Sequence, residues 1–353
     1  VDLDTTLPLP QCHVALKMTG LIETRVANPL LIKDIHIDLS ALQTSFDLSS
    51  CELMPAMLAS WQLKRFNLLI PQPIYVDFQQ LKIPSLQLTG LNQAAQQELR
   101  INDIHYEFSG AMAATFKVHI EQPISAFELN VGQLALNSTG MISAQLAEDI
   151  QWNLQDGQVQ LSLQNVSNAQ LSLQQLQANF SLHGSHDGGA QLSGELEATM
   201  FSGFELTMAK LNSDVNLSID SKQQLQLKLK SLVQKLNYQQ FNLAQIDKQL
   251  VLNATLMDKP AQLSLNSLSQ INLNVDSIIT KLHSPDVTVA KLSNQFTVVG
   301  KDLDNLEFNT KSQLDNNQVA GIKLSKLNNQ LSGKLIKLAN INFSGQTDMS
   351  GFA

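Results

Sequence analysis

Apolar residues in this chain return in an unequal rhythm, with steps of two, three, four and two. Leu171, Leu173, Leu176, Phe180 and Leu182 set it. Leu206, Met208, Leu211, Val215 and Leu217 repeat it, as do Phe241, Leu243, Ile246, Leu250 and Leu252, and then Val287, Val289, Leu292, Phe296 and Val298. A further copy, Ile322, Leu324, Leu327 and Leu331, ends on Gly333. Starts at 171, 206 and 241 lie 35 residues apart, as do 287 and 322, whereas 241 to 287 is 46. A looser copy, Ile37, Leu39, Leu42, Phe46 and Leu48, stands far upstream, and one out of phase begins at Leu227. Repetition on this scale marks an array of like units.

Steps of two keep side chains on one face of a pleated strand. The single step of three breaks parity, and a one-residue slip sends every later apolar group to the other face. A bulge or a bend at that point keeps the face intact. Steps of three and four also suit a helix. The flanks exclude it, because Gln158–Leu163 (QVQLSL), Gln224–Lys230 (QLQLKLK) and Gln262–Asn266 (QLSLN) alternate strictly. The pattern predicts strands over most of 101–353, and a more irregular stretch over 1–100.

Two short helices are expected in that stretch. One lies near 54–65, where Met54, Met57, Leu58 and Trp61 fall at helical spacing behind Pro55. The other covers 91–100, whose AAQQELR run has no β-branched residue. Pro71, Pro73 and Pro84 mark edges, turns or strand starts, since proline cannot donate to a ladder. The run Leu81–Gly90 (LKIPSLQLTG) reads as a strand pair or a kinked strand.

An apolar residue followed by Ser or Thr and then Gly recurs, ending at Gly20, Gly90, Gly110, Gly194, Gly203, Gly333, Gly345 and Gly351. These are strand ends and turns, or glycines that widen an apolar channel. At roughly ten residues per strand and turn, the chain holds some 25 to 30 strands, too many for one flat open sheet. The fold class is mainly β: one long, curled antiparallel sheet running through 1–353, with an apolar concave face. That face either lines a groove that something oily occupies, or closes on itself as the dry core of a structural or adhesive β-solenoid.

Charged residues make up 15% of the 353, below the roughly 25% of ordinary soluble domains. The net charge of −8 comes without a basic patch, so nucleic acid is not expected as a partner. An aromatic share of 5% argues against a membrane-spanning barrel, which needs aromatic girdles. The chain opens on Val1 already inside an alternating pattern, and reads as a piece of a longer protein. Cys12 and Cys51 allow a disulfide in an oxidising compartment, or are two separate thiols.

Catalytic signatures are absent: no G-x-S-x-G, Walker loop, dinucleotide fingerprint or H-E-x-x-H occurs. His183, His186 and Asp187 offer metal-ligand types, yet their glycines make the segment a hairpin turn. Asp302 and Asp304 lack the rest of a calcium loop. Lys323, Lys326, Lys334 and Lys337 form a solvated face that could also meet lipid phosphates.

Taken together, the Gln- and Leu-rich repeating strands and the early LKIPSLQLTG run resemble the AsmA-like bridge proteins, or repeating β-groove proteins, of Gram-negative envelopes. Within that superfamily they are most similar to YdbH-like proteins, with TamB-like and AsmA-like proteins next. The resemblance implies an inner-membrane anchor outside this segment and a periplasmic body reaching toward the outer membrane. It implies transport of phospholipid between the two membranes, without catalysis and without a cofactor other than the lipid cargo. The lining it suggests is the set of repeated apolar residues given above. The open ends of such a sheet suit docking of a partner by strand addition.

Overall fold

The computed structural model describes residues 2–352 except 10–11, 29–32, 48–64, 91–95, 127–128, 147–149, 257–267, 320 and 337–339. Among the described residues it is built from antiparallel strands, twenty-two in all, without a helix. Contacts divide the chain into two units: Val1–Asn168 with Ser181–Asp187, and Ala169–Phe180 with Gly188–Ala353.

The first unit begins with short strands. β1 (Asp2–Leu9), β2 (Cys12–Thr19), β5 (Gln43–Asp47) and β6 (Arg65–Leu69) pair in that order. β3 (Glu23–Asn28), β4 (Lys33–Asp38) and β7 (Ile74–Val76) form a second short track. Both tracks reach one edge of β8 (Gln80–Gly90): β7 holds Leu81 and Lys82, and β6 holds Gln87–Gly90. The ladder then continues through β9 (Gln96–Glu107), β10 (Ala111–Ala126), β11 (Leu129–Gln145) and β12 (Gln151–Ser167).

In the second unit long strands follow one another as a meander. After β13 (Leu171–Ser185) come β14 (Gly189–Gly203), β15 (Leu206–Ile219), β16 (Gln224–Tyr238) and β17 (Phe241–Leu256). β18 (Leu268–His283), β19 (Val287–Asp302), β20 (Asn305–Val319), β21 (Ile322–Ile336) and β22 (Asn340–Phe352) complete it. From β14 onward each strand pairs with its successor.

The 35-residue period is therefore one hairpin. Copies of the rhythm sit on β13, β15, β17, β19 and β21, and the strands between them run the other way. The copy out of phase at Leu227 belongs to one of those, β16. The longer gap between 241 and 287 leaves the register intact: Leu243 faces Leu282 and Leu252 faces Leu273 across it. The additional residues fall between Leu256 and Leu268, outside the described ones.

The step of three has a local cause. Met208 pairs with Leu236 and Lys210 with Gln234, so Ala209 and Lys235 stand opposite each other outside the regular ladder. Lys235 has φ of 52°. The irregularity repeats at Ala244 and Lys281 (φ 53°), at Ala290 and Asn316 (φ 51°), and at Ser325 and Gly351 (φ 73°). A left-handed residue on every second strand thus meets a small residue on the strand between. Side-chain parity inverts on both strands at once, and the register across the pair is kept. Ala290 and Lys291 are consecutive exposed residues on β19, and Ser325 and Lys326 are on β21, as an inversion requires. This differs from a bulge, in which two residues oppose one. Genuine bulges also occur, at Gly140 against Asp156–Gly157 and at Ala254 against Gln270–Ile271.

Several expectations change. Among the described residues strands are fewer and longer than the 25 to 30 expected, because an inversion lets a strand run on through a point where a slip would end it. The helix near 54–65 lies outside the described residues save for Arg65, which is strand. Of the helix expected over 91–100, the described part, Gln96–Arg100, is the start of β9. Leu99 is held between Leu88 and Val118 there, and pairing on both sides overrides a modest helical preference. The LKIPSLQLTG run is a single interrupted strand, with Pro84 opposite Asp103, itself at φ 53°.

Aspartates close many of the turns. The Asp220 carboxylate accepts from the Lys222 and Gln224 amides at 2.9 and 2.8 Å. Asp302 accepts from the Asp304 amide at 3.1 Å, so KDLDNLE is a hairpin turn. Asp38 and Asp77 act likewise, toward Ser40 and toward Gln79 and Gln80.

Candidate functional site: the apolar face and its polar row

An antiparallel sheet with one wet face alternates apolar and polar side chains. Both units do so, and the register carries the apolar side from strand to strand. Leu211 faces Val233, which faces Ile246, then Ile279, then Leu292. Val215, Leu229, Leu250, Val275 and Phe296 form a parallel row. Leu217, Leu227, Leu252, Leu273 and Val298 form the next. Beyond the inversion, Met208, Leu236, Leu243, Leu282 and Val289 form another. The repeated residues on β15, β17, β19 and β21 are thus brought onto one face.

Leu171, Leu173, Leu176, Phe180 and Leu182 lie on β13 and are all half-buried. The far-upstream copy is different. Ile37 is on β4, Leu39 follows it, Leu42 is buried after a turn, and Phe46 is on β5 in the other track. A turn in which the Leu42 amide donates to the Leu39 carbonyl separates them. Those residues form no single strand, because Asp38 and Ser40 favour a turn where the later copies continue.

The step of four is a polar position on the same face. Ser213, Ser231, Lys248, Ser277, Asn294, Ser312, Asn329 and Thr347 stand in one row, each opposite the next. Ser213 and Ser231 share a hydroxyl hydrogen bond of 2.9 Å. Ser312 and Thr310 both donate to Asn294 Oδ1, at 2.8 and 2.9 Å, and Thr347 donates to Asn329 Oδ1 at 3.1 Å. The sequence signal for this row was the skipped beat itself, read earlier only as spacing.

Burial distinguishes a sealed core from an accessible face. Among the repeated residues only Leu42, Leu243, Val289, Val298 and Leu324 are buried, Ile322 is exposed, and the others whose side chains are described are half-buried. On β22, Ile341, Phe343 and Met349 are exposed by 59, 69 and 53%, and the residues on the other side of that strand are exposed as well.

Glycines on this face do not leave gaps. A Cβ on Gly194 would stand 2.0 Å from the Asn179 carbonyl oxygen and 2.7 Å from Phe180 Cδ1, and one on Gly333 would stand 2.2 Å from the Asn342 carbonyl oxygen and 2.7 Å from Phe308 Cζ. A Cβ on Gly140 would meet the Phe116 ring at 2.9 Å. Each ring fills the space beside its glycine, so a widened channel at these positions is excluded. Gly20 and Gly110 are turn residues.

Polar chemistry gathers on the opposite side. Lys210 pairs with Glu197 at 3.0 Å and Lys334 with Glu307 at 2.6 Å, and that carboxylate holds the Lys334 ammonium above its usual range. Lys323 and Lys326 also lie there, beside Gln318 and Asp315, while Lys337 is outside the described residues. A depression of about 640 Å³ is lined by residues such as Asp276, Gln295, Lys311, Gln330 and Asp348, and it holds no histidine or cysteine. His183 lies at the end of β13, and His186 and Asp187 in the hairpin turn that follows. No cluster of three metal-ligating side chains exists among the described residues. The described residues form no helix long and apolar enough to cross a membrane, which leaves strand-built spans untouched. Cys12 is on β2, and Cys51 lies outside the described residues. Comparison with protein-family models, with curated proteins and with solved structures found no match.

Proposed function

We propose that the chain carries lipid on its apolar face, as a non-enzymatic segment of a phospholipid conduit. The observation that supports this is the set of aliphatic rows running across β15–β19 with most of their members only half-buried. Each methylene withdrawn from water onto such rows gains about 0.8 kcal/mol. Leu, Ile and Val make no directional bonds, so neighbouring positions along a row hold an acyl chain almost equally and none traps it.

The wider setting belongs to the same proposal: a periplasmic body between inner and outer membranes, anchored through a segment beyond this one, with the face concave toward the lipid. Half-burial weighs against the alternative, a structural or adhesive β-solenoid, whose dry core would exclude water from these side chains. The test is extraction of detergent-free, purified protein followed by lipid mass spectrometry. Retained phospholipid supports the reading, and its loss in Leu173→Asp and Leu250→Asp, with strand content unchanged by circular dichroism, ties it to the face. Protein free of any lipid contradicts it.

A further inference from the structure

Lys248 is the one charged side chain that the register places on the apolar face from β14 to β22, among the described residues. It stands in the polar row between Ser231 and Ser277, with Ile246 and Leu250 two residues away on its own strand. Its neighbours Asp247 and Asp276 belong to the opposite side, where Asp247 accepts from Gln245 at 2.7 Å. No ion pair involves Lys248 among the described residues, whereas Lys210 and Lys334 on the polar face each have a carboxylate. Lys235 and Lys281 lie in the column of inversions, outside the face.

A lone cation among aliphatic side chains has a use if an anion arrives attached to hydrocarbon. The ammonium brings three donors, and the strands to either side, about 4.8 Å away, carry the hydroxyls of Ser277 and of Ser231, which can donate outward while accepting from Ser213. That donor set suits the oxygens of a phosphodiester. Aliphatic rows begin one step of two residues, about 6.8 Å, along the strand in both directions. The long lysine stem can lie along apolar surface while its charge stays at the top of a hydrocarbon layer.

Building on the conduit reading, we propose that Lys248 with Ser231 and Ser277 is a station for the phosphodiester of a glycerophospholipid, whose acyl chains lie on the rows beside it. Phosphate gives specificity at this point, and the uniform aliphatic rows elsewhere give none.

The test uses the full 353-residue chain, incubated with vesicles of equal phosphatidylglycerol and diacylglycerol bearing the same acyl chains. Retained lipids are quantified by mass spectrometry. The unaltered protein is expected to favour phosphatidylglycerol roughly tenfold, the worth of a charge-assisted hydrogen bond. Lys248→Met is expected to bring the ratio close to one while total lipid is kept, and Lys248→Arg to preserve it. An unchanged ratio in Lys248→Met, with lipid still bound, overturns the station and leaves the conduit standing. Inorganic phosphate that abolishes the preference at low millimolar concentration identifies a free-anion site and overturns it as well. An unaltered protein that retains neither lipid removes the conduit, and the station with it.

Discussion

Lys235 and Lys281 hold backbone angles that side-chain-bearing residues rarely adopt, with φ of 52° and 53°. Such a conformation costs roughly 1–2 kcal/mol, and glycine escapes it. Lys281→Gly is therefore expected to raise stability by about 1 kcal/mol in urea denaturation, and Lys281→Val to lower it by a similar amount. If both variants destabilise equally, the inversion is not where the strain resides. At Gly194 and Gly333 the sign is opposite. Alanine there must displace the backbone carbonyl of Asn179 or Asn342 as well as the ring of Phe180 or Phe308, and a loss of about 1–3 kcal/mol in urea denaturation is expected, as for other overpacked sites. The sequence exposed the missing beat after Met208 and after Val289, since apolar spacing records which side a residue faces. It could not show which strand of a pair takes the left-handed angle, because Met200, Lys235 and Asn316 share no side-chain property that demands it.

At the scale of the element, turns depend on aspartates whose charged form is hydrogen-bonded. The side chain of Ser40, and then its amide, hold the Asp38 carboxyl below the usual range, and the Gln80 side chain followed by the Gln79 amide do so for Asp77. A carboxyl depressed in the folded state contributes stability above its unfolded pKa and loses it as pH falls through the folded one. Acidification below the ordinary aspartate range is thus expected to loosen the β7–β8 turn, seen as faster exchange of the Gln79 and Gln80 amides relative to mid-strand amides. Asp77→Ala should show that faster exchange already at neutral pH, and an unaltered rate there contradicts the role.

Elements were legible where alternation was strict, as in Gln158–Leu163 and Gln224–Lys230, while Gln262–Asn266 lies outside the described residues, and they were illegible where local preference and tertiary pairing disagreed. Gln96–Arg100 is the instructive case: its composition is helical, and two flanking ladders decide against it. The upstream copy beginning at Ile37 misled for a related reason, since apolar spacing is blind to a turn at Ser40. The polar row was legible in principle. On β15, β17, β19 and β21 the step of four skips one of its members, whereas on β13 it skips the buried Ala178, and only the register reveals that Ser213, Lys248 and Asn294 share the face with the leucines.

At the scale of the whole molecule, the proposed lipid carriage requires a face that stays accessible to hydrocarbon. Among the described residues β22 pairs with β21 alone, and we propose it as the place where a partner docks by strand addition. Peptides matching β21 are expected to bind that edge and to protect β22 amides from exchange, and Gly345→Pro should abolish the protection. Failure of such peptides to bind removes the docking proposal without touching the lipid one. The most direct test of the face itself is photo-crosslinking from single positions. A photoreactive side chain at Leu211 or Leu250 should capture acyl chains, and one at the adjacent Lys210 or Gln249 should not. Capture of equal strength from both sets, or from neither, contradicts an open apolar track.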